Sequence, residues 1–111
     1  MQWQAAPRLR FDVFSHRQYK ANARVTKHRL ERKELERAVA LLEGGDWQAA
    51  HKIVQRDEES TLACWAHGIV HLMEGDTANA RYWFRKAKRT FPLRPSAPEE
   101  IRALRAELRG R

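Results

Sequence analysis

The middle of the chain nearly repeats itself at an interval of 30 residues. Gly45-Asp46-Trp47-Gln48-Ala49-Ala50 matches Gly75-Asp76-Thr77-Ala78-Asn79-Ala80. Ahead of each Gly-Asp pair, Leu35, Val39 and Leu42 align with Trp65, Ile69 and Leu72, and behind them Val54 aligns with Phe84. Glycine readily takes the left-handed conformation that ends a helix, and aspartate is a good N-cap for the next one. Each copy therefore reads as helix, tight turn, helix. Such a unit cannot bury its apolar side alone, so its copies must stack against each other or be covered.

Apolar spacing fills in the remaining elements. From about Thr26 the pattern is helical, with Leu35, Ala38, Val39, Leu41 and Leu42 on one stripe, ending at Gly44-Gly45. Asp46 caps a second helix through Trp47, Ala50, Ile53 and Val54, which runs out at the acidic Asp57-Glu58-Glu59. Ser60 or Thr61 opens a third through Trp65, Ile69 and Leu72, and Asp76 a fourth through Ala80, Trp83, Phe84 and Ala87, finishing before Phe91-Pro92. Ser96-Ala97-Pro98-Glu99 is a capping-box pattern for a fifth helix carrying Ile101, Leu104 and Leu108, closed by Gly110. No stretch shows paired-strand alternation, so the expected class is all-α. Residues 1–26 form a basic aromatic arm, 27–92 the two helical hairpins and 96–110 a packing helix. The arm's Trp3, Phe11, Phe14 and Tyr19 suggest that it docks on something.

Length and composition narrow the class further. A chain of 111 residues is one domain's worth, and 42% hydrophobic residues with four Trp and four Phe are too many for disorder. A single Cys excludes an intramolecular disulfide framework and suits the cytoplasm. No apolar run is long enough for a membrane span or signal-peptide core, so no membrane partner is expected. The net charge of +8 is uneven: residues 1–34 carry +6, 35–75 carry −4 and 76–111 carry +6.

The second copy resembles a tetratricopeptide repeat over residues 61–92. Gly68, His71, Gly75, Ala80, Phe84, Ala87 and Pro92 stand at that family's separations. Residues 31–61 fit less well, with Ala38, Gly45 and Ala50 in place but Asp57 and Leu62 at the later Ala and Pro positions. The interval of 30 is also shorter than the family's usual spacing. The string from Glu74 to Ala87, Glu-Gly-Asp-x-x-Asn-Ala-x-Tyr-Trp-Phe-Arg-Lys-Ala, is also similar to small uncharacterised bacterial proteins. The tetratricopeptide resemblance implies a scaffold that holds a protein or peptide, or a second copy of itself, against the first helix of each hairpin. Leu35, Val39, Leu42, Trp65, Ile69 and Leu72 are the side chains expected on that surface. Six large apolar residues exceed a normal exposed patch, so the fifth helix, the aromatic arm or a partner must cover them.

Two further constellations carry chemistry. Cys64, His67, His71 and Glu74 share a helical stripe. His67 and His71, at i and i+4, are spaced to share a metal, with Glu74 one turn on and His51 on the preceding helix. Cys64 lies about 10 Å along the helix axis from His71 and does not join them. Since a metal site needs three convergent ligands and only two are well placed, packing histidines are the preferred reading and no cofactor is expected. The second constellation is basic: Arg29, Arg32 and Lys33 on the first helix, Arg81, Arg85, Lys88 and Arg89 on the fourth, Arg102 and Arg105 on the fifth. If these faces converge, nucleic-acid binding through phosphate contacts follows. No nucleophile elbow, phosphate-cradling glycine loop or dinucleotide fingerprint is present, so the expectation is a non-enzymatic module.

Overall fold

In the computed structural model, which describes residues 29–110, the two Gly-Asp pairs adopt the same geometry. Gly45 and Gly75 sit at φ 86° and 92°. At that backbone a side chain is strained, and glycine alone avoids the cost. Asp46 and Asp76 each accept the backbone N–H three residues on, from Ala49 and Asn79. The Asn79 side-chain amide also donates to Asp76, at 2.8 Å. Five helices result: α1 (Arg32–Glu43), α2 (Trp47–Val54), α3 (Thr61–Glu74), α4 (Thr77–Lys86) and α5 (Ala97–Arg109). The described chain is all-α. The aromatic arm expected over residues 1–26 lies outside the described residues.

α3 is the central helix and packs against the other four. Every residue from Ala63 to Val70 is buried, the signature of a helix apolar on all sides. α4 lies closest to it because position 68 is glycine. A Cβ there would stand 2.5 Å from the Phe84 ring, so any side chain would push the helices apart. α2 and α5 flank α3 on other sides, and α1 meets α2, α3 and α5.

Two boundaries differ from the sequence expectation. α1 begins at Arg32, and residues 29–31 precede it without helical structure. The Leu30 N–H is turned instead to the Asp57 carboxylate, at 2.8 Å, while Glu31 and Glu34 cap the first turn reciprocally. Asp57, expected at a solvated acidic helix end, is 1% exposed. It accepts from the backbone of Leu30, Glu59 and Ser60 and from the Ser60 hydroxyl at 2.6 Å. Burial alone would raise its pKa, but the Ser60, Leu30 and Glu59 bonds together hold it below the ordinary value.

Candidate functional site

The apolar stripe expected to meet a partner is closed by the chain itself. Leu35, Val39, Leu42, Trp65 and Ile69 are all at most 5% exposed, and Leu72 is half-buried. Ile101, Leu104 and Leu108 of α5 join them in one core. Polar contacts fasten the cover. The Trp65 indole N–H donates to Glu100 at 2.9 Å, Arg105 forks onto both Glu43 oxygens, and Arg32 donates to the Leu108 carbonyl. Of the covers that the sequence left open for the six side chains offered as a partner surface, the fifth helix is the one found, and five of the six are buried. The physical reason is that the α5 stripe and the α1–α3 stripe each have apolar area to remove from water, and they bury it against each other.

The expected cations divide into two groups. Arg32 pairs with Glu36, and Arg105 with Glu43, whose carboxyl the Arg105 bond holds below the usual range. These two arginines fasten α1 to α5 and are not free for a ligand. Arg29, Lys33 and Arg102 are exposed. So are Arg81, Arg85, Lys88 and Arg89, together with Lys86 and Arg94. No Asp or Glu occurs anywhere in residues 77–98, so the cations from Arg81 to Arg94 share their helix and exit with no carboxylate. Aromatic rings lie among the cations: the Arg89 guanidinium stacks 3.5 Å from the Trp65 centroid, Arg81 lies 4.7 Å from that of Phe91 and Lys86 5.1 Å from that of Trp83.

On the other side of Trp83 lies a histidine cluster with a member that the spacing of His67 and His71 alone does not supply. His51 of α2 reaches across to α3, its Nε2 3.2 Å from His67 Nε2. The three ring centroids of His51, His67 and His71 are separated by 4.9, 5.4 and 5.1 Å. His67 stacks face to face on Trp83 at 3.8 Å, and Glu74 engages His71 Nδ1 at 2.8 Å. Burial, then the neighbouring His71, pulls His51 down to about 4. Burial pulls His67 well below its ordinary value, helped by His51, His71 and Lys86. Both rings are therefore neutral at pH 7 and carry lone pairs. Cys64 stands apart, its thiol directed at the Glu58 carbonyl and pushed up to about 11 by burial. His51 was reachable from the sequence only through knowledge of how α2 crosses α3, which no local spacing encodes.

Among the described residues no helix is long and apolar enough to cross a membrane. Comparison with protein-family models, curated proteins and solved structures finds no match.

Proposed function

We propose that the protein is a non-enzymatic helical binding module whose partner is the phosphate backbone of a nucleic acid, met by the outer side of α4 and the segment that follows it. One observation carries this: six exposed cations stand in a 22-residue stretch, 77–98, that holds no acidic residue. The large apolar side chains most open to solvent among the described residues, Tyr82 at 45% and Leu93 at 100%, fall in the same stretch. Arg81 and Arg85, at i and i+4, share one face of α4, and Arg89 follows in its exit turn. Cations beside an exposed aromatic ring suit binding in which phosphates supply affinity and bases stack without being read. A protein or peptide held against α1 and α3, or a second copy held there, would first have to displace α5, which makes it the lesser alternative. The buried, protonated Cys64 thiol supports a non-enzymatic role.

Fluorescence anisotropy with a labelled single-stranded oligonucleotide tests the proposal. Binding should be present at about 50 mM salt and should weaken steeply as salt rises. Arg81→Gln with Arg85→Gln should weaken it uniformly across sequences and make the logarithmic salt slope shallower by about 2. Both side chains are exposed, so the fold is retained. No binding at low salt, or an unchanged slope in the double variant, rules the proposal out.

A further inference from the structure

The nucleic-acid surface makes no use of the histidine cluster, and that cluster has the composition and spacing of a metal site. We propose that His51, His67 and His71 together bind a single divalent transition-metal ion of the zinc class. This inference does not rest on the partner proposed above.

Three observations bear on it. The first is convergence. One donor nitrogen from each histidine lies within 4.8 Å of the others. Tetrahedral zinc with nitrogen ligands at about 2.0 Å holds its donors about 3.3 Å apart. The 3.2 Å between His51 Nε2 and His67 Nε2 already matches that separation, and the His71 donor lies within 4.8 Å of both. The second is orientation. Glu74 engages His71 Nδ1, which leaves Nε2 of that ring as the donor for a metal, the arrangement by which a carboxylate commonly supports a metal-bound histidine. Trp83 fixes the plane of His67 in the same way, by stacking. The third is a polar cost that packing leaves unexplained, at the ring nitrogen opposite the proposed donor Nε2. His67 is 4% exposed and its Nδ1 has no hydrogen-bond partner, the one such buried side-chain polar atom among the described residues. Packing alone would be served as well by an apolar side chain, without the cost of a buried polar atom.

Access and metal preference follow from the surroundings. His51 and His71 border an open cleft of about 400 Å³ between α2 and α3, whose other walls include Trp47, Gln48, Gln55 and Glu74. An ion enters from that side, and a water or another exchangeable ligand completes its coordination there. Three imidazoles without a thiolate favour Zn²⁺, with Co²⁺, Ni²⁺ and Cu²⁺ as substitutes, over Ca²⁺ or Mg²⁺, which require oxygen ligands.

The test is titration of the metal-stripped full chain at pH 7.5 with Zn²⁺ by calorimetry and with Co²⁺ by visible absorption. The expected result is one ion per chain and a higher thermal midpoint with metal present. His51→Gln and His71→Gln, at half-buried positions, should each weaken binding by about tenfold or more while the helical circular dichroism stays intact. The remaining two histidines, His16 and His28, provide the control: His16→Gln with His28→Gln should bind as the unaltered chain does. Absence of stoichiometric binding, full binding in both cluster variants, or loss of binding only in the control would overturn the proposal.

Discussion

Asp57 ties together parts of the chain that are far apart in sequence. Its buried carboxylate takes the Leu30 N–H from the start of α1 and two N–H groups and a hydroxyl from the turn before α3. Asp57→Asn keeps the shape but replaces one accepting oxygen by a donor that faces other donors. Its cost should be about 1–3 kcal/mol in urea denaturation at pH 7. The pH dependence has a definite sign. The folded pKa lies below the ordinary 3.8, so the unfolded chain binds the proton more readily. The carboxylate's contribution is fully present above pH 4 and is lost as pH falls through the folded value. The difference in stability between the parent chain and Asp57→Asn should therefore narrow in acid, and a constant difference would contradict the assignment. This residue was hard to read in advance because Asp57-Glu58-Glu59 looks like a solvated helix end, and a bond to Leu30, 27 positions away, leaves no local signal. One hint was present: the repeat aligns Asp57 with Ala87, and both positions are buried.

At the scale of the element, the three helix ends before residues 46, 76 and 89 close alike. In each, the N–H of the residue after the left-handed position bonds back to a carbonyl five residues earlier: Asp46 to Leu41, Asp76 to His71 and Arg89 to Phe84. The first two turns have glycine at the left-handed position, but α4 has Lys88 there, at φ 63°. Lys88→Gly should stabilise the fold by about 1 kcal/mol, seen as a higher denaturation midpoint, because it removes the cost of a left-handed side chain. It should also slightly weaken oligonucleotide binding, since it deletes a cation. Helix positions were legible from the sequence because caps and apolar spacing are local properties. The partner of each face was not. α5 shows an ordinary amphipathic stripe, and nothing in Ile101, Leu104 and Leu108 says that they lie over Trp65 and Leu35 rather than elsewhere. The same limit left the approach of His51, on the preceding helix, unfixed, whereas the i, i+4 spacing of His67 and His71 was read directly.

At the scale of the whole molecule, charge and apolar surface are separated. Residues 29–110 hold 15 Lys/Arg against 13 Asp/Glu, while the other 29 residues hold seven against one. Most of the net charge of +8 thus belongs to the ends of the chain, and the helical body is nearly balanced. Within that body the balance is local: Arg32 of α1 pairs with Glu36 and Arg105 of α5 with Glu43, whereas the stretch from Thr77 to Pro98 has cations alone among its charged residues. On the proposed function, a polyanion should meet α4 rather than the covered α1–α5 side. Amide chemical-shift mapping of the isotope-labelled full chain, titrated with a short oligonucleotide at low salt, tests this most directly. Shifts concentrated on Arg81 to Arg94, with Leu35, Val39, Leu42 and Ile69 unmoved, are predicted. Shifts centred on α1 and α5, or none at saturating oligonucleotide, would contradict the account.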